Sequence, residues 1–245
     1  MLIWVVVAGF GALVLAHTAP FPFLIDALNG TRAVWRMPPR DDGRRLVYLT
    51  FDDGPNPTAT PALLDVLARE RVRATFFLID RHLTPETAPI VRRMFDEGHA
   101  VALHSHTRAL MLMDAAQLAR TLGDASARIE QLAGHRPCPL FRPHAGWRSG
   151  QMYQGLRTID HRLVGWSWLM FDWNFFRRRE PGAFVRRFTA RASPGSIIVM
   201  HDGHHVNPKA DRQYTVDTID RLVPALRAKN FEFGTICDPA AQMEA

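Results

Sequence analysis

From residue 44 onward, short apolar runs alternate with longer amphipathic segments. Each run is short enough to be a buried strand, and most are rich in β-branched or aromatic residues. Seven such runs predict strands: Leu46–Phe51, Ala74–Ile79, Ala100–His106, Leu140–Pro143, Arg162–Trp168, Ser196–His201 and Phe231–Ile236.

The segments between these runs place apolar residues three or four positions apart, which is typical of helices with one buried stripe. They predict helices at Thr60–Glu70, Glu86–Glu97, Asp114–Ala133, Gly182–Ala192 and Val216–Lys229. Strands that alternate with helices predict an α/β fold with a parallel sheet. We expect a (β/α) barrel of about seven parallel strands, partly open or distorted, with a doubly wound sheet as the alternative.

The N-terminal region has a different pattern. We expect an apolar segment at 1–28, a linker at 29–43, a single folded domain at 44–239 and a tail at 240–245. Met1 to Ala16 carries no charged side chain but is shorter than the roughly 20 residues that span a bilayer. This segment is either a cleaved signal or, as we favour, a membrane anchor completed by the later apolar residues.

Composition narrows the class of protein. The chain of 245 residues is 47% hydrophobic and 22% charged, so it can bury one large core and is not disordered. Its net charge of +6 comes either from arginines that simply solvate helix faces or from a surface that binds an anionic partner such as nucleic acid, phospholipid or an acidic cell-wall polymer. No nucleic-acid-binding motif is present. The two cysteines, Cys138 and Cys237, form neither a CxxC pair nor a disulfide framework, and we expect free buried thiols.

Titratable side chains recur where the predicted strands end. In a (β/α) barrel the carboxyl ends of the strands carry the active site, so the pattern indicates an enzyme rather than a set of unrelated turns. The adjacent carboxylates in Thr50–Asn56 carry most weight, because burying both is unfavourable unless a cation or donor holds them. The clusters are Asp52 and Asp53, His104 and His106, Arg142, Asp172 and Trp173, and His201 and Asp202.

These residues fall in five motifs. Thr-Phe-Asp-Asp-Gly-Pro stands at 50–55, Gly98-His99 precedes His104-Ser105, and Phe141-Arg142-Pro143 precedes Gly146. Trp166-Ser167 precedes Asp172-Trp173, and the last motif runs from Ile197 to Gly203. In this order they resemble the polysaccharide deacetylase family, which is carbohydrate esterase family 4, or the chitooligosaccharide-deacetylase homology domain. The resemblance covers roughly residues 44–239.

The resemblance implies metal-assisted removal of an N-acetyl group from an amino-sugar glycan such as a chitooligosaccharide, peptidoglycan or a lipid-linked saccharide. One divalent ion, most commonly Zn²⁺ with Co²⁺ or Ni²⁺ as alternatives, would be held by Asp53 and His104. Asp52 would be the general base and His201 the general acid.

The remaining expected roles support these groups. Arg142 would keep Asp52 ionised, and Asp172 would orient the acid His201. The backbone N–H of Ala145 would stabilise the oxyanion, and Trp173 would form a wall for the acetyl group or the sugar.

Three positions depart from the family pattern. Arg108 stands where the family has a second metal-binding His, and a guanidinium has no lone pair to donate. We expect His106 to replace that ligand, because residues two apart on a strand point to the same side. His144-Ala145 and Leu169 also differ from the usual residues, and we expect the first of these changes to alter the sugar subsite.

Two other functions stay open on the sequence. Arg108 is compatible with a non-catalytic glycan-binding relative that has a degraded metal site, and the changes at 144–145 with an amidase acting on a non-sugar C–N bond. The family role favours a domain outside the cytoplasm, whether anchored or secreted, whereas the arginines after the apolar segment favour a cytoplasmic domain.

Overall fold

The computed structural model describes residues 2–17, 33–169 and 180–237, which form an α/β fold. The strands are β1 (Leu46–Gly54), β2 (Thr75–Ile79), β3 (Ala100–His104), β4 (Leu140–Arg142), β5 (Arg162–Leu163), β6 (Trp168–Leu169), β7 (Ile197–His201) and β8 (Glu232–Phe233). The helices are α1 (Leu2–His17), α2 (Ala59–Arg69), α3 (Ala88–Asp96), α4 (Ala115–Ala133), α5 (Gly150–Thr158), α6 (Pro181–Arg191) and α7 (Gln213–Arg227).

The strands form one parallel sheet in the order β5-β4-β3-β2-β1-β7-β6, and β8 pairs with the start of β1. All nine residues of β1 are buried, as expected for a central strand covered on both faces. The predicted α/β fold with about seven parallel strands is therefore confirmed. The sheet is not closed, so the barrel is open between β5 and β6.

The predicted strand Arg162–Trp168 is two strands, and they lie at opposite edges of the sheet. The chain from Leu163 to Trp168 reaches at most roughly 18 Å, so the two edges come close together. Residues from the predicted linker lie across the gap: Val34 pairs with Val164 and Arg36 with Ser196. The alternation of apolar and polar residues along 162–168 is the same for one strand as for two. The sequence therefore could not show that β5 and β6 pair with different strands.

This crossing segment belongs to the folded body. Ala33 and Met37 are buried, and Val34 N–H donates to the Leu163 carbonyl at 2.9 Å. The Trp35 ring lies against Gly165, where a β-carbon would overlap it. Residues 33–37 therefore pack against both sheet edges, although the sequence places them in a linker.

Cys138 and Cys237 form a disulfide bond, with their Cα atoms 6.1 Å apart. The expectation of free thiols is therefore wrong. The two residues are 99 positions apart, and only the sheet brings the segment before β4 next to the segment after β8. A disulfide typically contributes about 2–4 kcal/mol to folding stability, and the contribution rises with the length of the loop that it closes.

The helices agree with the amphipathic pattern within a few residues. α4 begins at a capping box, in which Asp114 accepts from Gln117 N–H and the Gln117 side chain accepts in return from Asp114 N–H. Helix α5 is absent from the sequence prediction. Among the described helices, none combines the length and apolar character needed to cross a membrane.

Candidate active site

The site lies at the carboxyl end of the sheet, where β1 delivers its paired carboxylates. Asp52 and Arg142 form an ion pair, with Oδ1 and a terminal guanidinium nitrogen 2.6 Å apart and both side chains buried. Arg142 also donates to Thr50 Oγ1 and to the Gly165 carbonyl, each at 2.8 Å. Its plane lies over the ring of Phe77, at 3.9 Å from the centroid. Arg142 therefore holds Asp52 from a fixed position.

Asp53 faces a different direction because the strand bulges there. The pairing of β1 with β2 shifts register between Asp52 and Gly54, and Asp53 has φ 70°. A β-bulge re-aims a side chain, and a non-glycine residue in left-handed backbone carries strain that the surrounding structure must hold in place. The Asp53 carbonyl is 3.2 Å from His82 Nδ1, which must donate to it, and Gly203 lies so close that a β-carbon would overlap this carbonyl.

The contact between Asp53 and His104 indicates a cation site. His104 Nδ1 is 2.7 Å from the Arg142 carbonyl, which only accepts, so Nδ1 carries the proton. The other ring nitrogen, Nε2, whose lone pair is available to a metal ion once it is unprotonated, faces Asp53 Oδ1, 3.3 Å away. Asp53 Oδ1 is buried and has no hydrogen-bond donor among the described residues. A metal ion satisfies both lone pairs.

His144 offers a third candidate ligand atom. The donor atoms of Asp53, His104 and His144 all lie within 4.8 Å of one another. Burial, followed by the charge of His104, lowers the pKa of His144 to about 3, which keeps its lone pair available. The backbone N–H of His144 donates to Ser105 Oγ at 2.8 Å, which holds the loop beside β3.

His106, the expected third ligand, is not part of this cluster. Strand β3 ends at His104, and residue 106 lies in a bend, so the alternation that would align the two side chains has already ended. The cluster instead takes His144 from the loop after β4, a residue that the sequence analysis assigned to the sugar subsite. These three ligand types suit a divalent metal ion.

The pKa of Asp53 is consistent with a role as a metal ligand. Burial by itself raises the pKa of Asp53, but the neighbouring imidazoles, His104 first, outweigh this effect. The pKa of Asp53 therefore lies well below its usual range, and the carboxylate is available as a ligand.

His201 and Ala145 lie on the expected side of the site. His201 is the register partner of Asp52 in the pairing of β7 with β1, and its charge acts on Asp53. Ala145 is exposed in the turn after β4 and has φ 54°, the same left-handed region as Asp53. The predicted site residues Asp172 and Trp173 lie outside the described residues.

Three polar groups near the site were given no role in the sequence analysis. His82 follows β2 and fixes the Asp53 carbonyl, so the rule of strand ends could have found it. Asp202 is buried next to Gly54 and accepts from Thr60 Oγ1, and burial raises its pKa to about 7. The His205 ring lies 4.7 Å from that of His144.

A buried carboxylate–arginine pair next to a carboxylate–histidine metal cluster, at the carboxyl end of a parallel sheet, defines a metal-dependent hydrolase site. Comparison with known families agrees. Residues 40–164 match the polysaccharide deacetylase family model, and the chain belongs to that family. The resemblance drawn from the five motifs is therefore confirmed, and the chain is a hydrolase of the kind that acts on C–N bonds other than peptide bonds.

Several characterised relatives are similar over most of the chain. A chitooligosaccharide deacetylase of Sinorhizobium fredii is 35% identical over 80% of this chain and 92% of its own length. A peptidoglycan-N-acetylglucosamine deacetylase of Bacillus cereus is 28% identical over 83% and 91%. Among solved structures, a family 4 acetyl xylan esterase from Clostridium thermocellum in complex with a cobalt ion has 30% identity and a TM-score of 0.68, over 78% of this chain and 88% of that one.

Proposed function

We propose that this protein removes N-acetyl groups from an amino-sugar glycan, with Zn²⁺ held by Asp53, His104 and His144. The observation that carries the proposal is the facing pair of lone pairs on Asp53 Oδ1 and His104 Nε2, 3.3 Å apart, beside the Asp52–Arg142 ion pair. The chitooligosaccharide and peptidoglycan deacetylases among its relatives support an N-acetylated glycan as substrate.

When bound, the metal would polarise the amide carbonyl and acidify a water molecule. Asp52 removes a proton from the attacking water, whose oxygen bonds to the amide carbon. Arg142 holds Asp52 in place beforehand, with its buried guanidinium 2.6 Å from Oδ1. The backbone N–H of Ala145 donates to the oxygen that becomes negative.

His201 completes the reaction from the neighbouring strand. It donates a proton to the sugar nitrogen as the C–N bond breaks, which releases acetate and a free amine. Its register position opposite Asp52 supports this division between base and acid. Asp172 would orient His201, and Trp173 would contact the acetyl group or sugar ring, as the family resemblance implies.

The test is acetate release by the full-length protein from N-acetylchitooligosaccharides and peptidoglycan fragments. The protein is assayed with added zinc, after treatment with a chelator, and after zinc is restored. We expect release that is lost with the chelator and regained with zinc. Glycan binding without release by the zinc-loaded protein would overturn the proposal and favour a non-catalytic glycan-binding relative.

We also propose that the domain works in an oxidising compartment and that residues 1–28 attach it to a membrane. The Cys138–Cys237 bridge supports the first part, because disulfides persist mainly outside the cytoplasm. A polymeric glycan as substrate is also consistent with a domain that lies outside the cytoplasm. The uncharged sequence of α1 supports the second part.

Thiol trapping in cells tests the compartment. Cells expressing the protein are quenched with acid and labelled with a maleimide, with or without prior reduction. We expect label on Cys138 and Cys237 only after reduction. Labelling of both cysteines without reductant would place the domain in a reducing compartment and contradict the proposal.

A further inference from the structure

Gly165 connects the crossing segment, residues 33–37, to the arginine of the catalytic pair. It follows β5 and precedes β6, so it belongs to neither strand. Its N–H donates to the Val34 carbonyl at 2.9 Å, and its own carbonyl accepts from Arg142 Nη2 at 2.8 Å. The backbone of Gly165 is therefore held by the crossing segment on one side and holds Arg142 on the other.

Trp35 covers this connection. A β-carbon on Gly165 would overlap the Trp35 ring, so the indole rests directly on the glycine backbone. The Trp166 ring meets the Trp35 ring edge-on, with the centroids 5.9 Å apart, and the Trp35 carbonyl accepts from Ser167 Oγ at 2.7 Å. Trp35 is thus fixed through its side chain and its backbone, and it prevents Gly165 from moving toward it.

A second contact of Trp35 leads to the turn of the oxyanion donor. The guanidinium of Arg148, which is fully buried, lies 5.1 Å from the centroid of the Trp35 ring, within cation–π distance. Arg148 donates to the Gly146 carbonyl at 3.2 Å, and Gly146 directly follows Ala145. The indole therefore contacts both the residue that holds Arg142 and the arginine that holds the turn of Ala145.

The position of Arg142 depends on this support. Among the described residues, Nη1 of Arg142 donates to Thr50 and Asp52, Nη2 donates to Gly165, and Nε has no acceptor. A shift of the Gly165 carbonyl would leave Nη2 buried without an acceptor, which is costly for a charged donor. The guanidinium would then turn to find another acceptor and would no longer hold Asp52 in the same place.

We propose that Trp35 is a positioning residue that keeps the base Asp52 and the oxyanion donor Ala145 in their reactive geometry. It acts on the first through Gly165 and on the second through Arg148. This inference rests on the proposed N-deacetylase activity and adds a residue to it. Trp35 precedes all five motifs and the residues that match the family model, so the resemblance does not assign it.

The first test compares Trp35→Ala and Trp35→Phe in the full-length, zinc-loaded protein, by acetate release from N-acetylchitooligosaccharides. We expect Trp35→Ala to lower kcat about tenfold and to change KM less than about threefold, because a misplaced base acts on the transition state rather than on substrate binding. Trp35→Phe keeps an aromatic face over Gly165 and Arg148, so it should restore kcat to within about threefold of wild type. Wild-type kcat in Trp35→Ala, or a loss confined to KM, overturns the inference.

Phe95→Ala is the matched control for loss of packing. Phe95 is also a partly buried aromatic residue, and it stacks on His135 near the end of α3, with the ring centroids 5.1 Å apart. Its replacement should lower the free energy of unfolding, measured with urea, and leave kcat unchanged. If Phe95→Ala lowers kcat as much as Trp35→Ala does, general loss of packing accounts for both effects and the positioning role is excluded.

Gly165→Ala tests the same contact from the other side. Its β-carbon would displace the Trp35 ring, so we expect a lower kcat in the wild-type background. Combined with Trp35→Ala, the β-carbon has room, and kcat should be no lower than in Trp35→Ala alone. Additive losses would contradict a direct contact. If Trp35→Ala does not fold, as judged by circular dichroism, unchanged kcat in Gly165→Ala overturns the inference by itself.

The inference and the function on which it rests fail in different ways. Acetate release by wild-type protein, with the same kcat in Trp35→Ala and Gly165→Ala, overturns the role of Trp35 and leaves the proposed deacetylase standing. Absence of release by wild-type protein from all the glycans tested above overturns the proposed function, and the role of Trp35 falls with it.

Discussion

The active site has two halves that differ in what fixes them. The sheet-borne half comprises Asp52, Asp53, His104, Arg142 and His201, which lie in or at the ends of β1, β3, β4 and β7. The loop-borne half comprises Arg108, His144, Ala145 and His205, which lie in the turns beyond the strands. Apart from the partly exposed His201, the sheet-borne half is buried, whereas the loop-borne half is exposed or partly exposed.

This difference accounts for how the candidate ligand cluster departs from the pattern that the family resemblance implies. Strand register holds the sheet-borne groups, so the carboxylates and His104 keep the expected positions. Turn conformation sets the loop-borne groups, and a ligand can be lost from one turn and supplied by another. Arg108 occupies the position of the expected His, and His144 supplies the nearby donor atom.

The largest expected effect comes from Asp52→Asn in the sheet-borne half. Removing the base should lower kcat for acetate release by about 1,000-fold, because general-base catalysis contributes roughly 100- to 10,000-fold. Acetate release is measured with zinc-loaded protein, and the exposed Asp65→Asn is the matched control. Activity within tenfold of wild type would exclude Asp52 as the base.

The second prediction compares two histidines of the turns. His144→Ala should weaken zinc binding on the order of 100-fold, whereas His106→Ala should leave it nearly unchanged, because only His144 belongs to the ligand cluster. Competition with a chromophoric chelator measures the zinc affinity without relying on activity. If His106→Ala has the larger effect, the ligand expected from sequence is right and His144 is a subsite residue.

A smaller effect is expected for His82, whose Nδ1 donates a hydrogen bond to the carbonyl of Asp53 in the sheet-borne half. His82→Leu should lower the free energy of unfolding by about 1–3 kcal/mol, because it leaves a buried carbonyl without its donor. Urea denaturation measures the loss, and His135→Leu, at an exposed position, is the control. Equal effects of the two substitutions would show that the bond to Asp53 contributes nothing.

The smallest effect is expected at Ala145. Ala145→Gly should change the free energy of unfolding by less than about 1 kcal/mol, because relief of the left-handed strain at φ 54° is offset by greater freedom in the unfolded chain. Thermal denaturation gives the sign. A loss well above this range would show that the alanine side chain makes a contact that the turn requires.

The sheet-borne half could be predicted because strand ends can be recognised from sequence. Apolar runs located β1, β3 and β7, and the polar residues that follow them were assigned to one face. The bulge that turns Asp53 away from Asp52 could not be predicted, since it depends on pairing with β2. The disulfide, the split of the strand at 162–168 and the position of His144 could not be predicted for the same reason. All three depend on contacts between segments that are distant in the sequence.

The segment at 33–37 has a practical consequence for any shortened form of the protein. Its Trp35 lies against Gly165, and the carbonyl of Gly165 accepts a hydrogen bond from Arg142. A truncation that starts at residue 44 would therefore uncover the residue that holds the arginine of the catalytic pair.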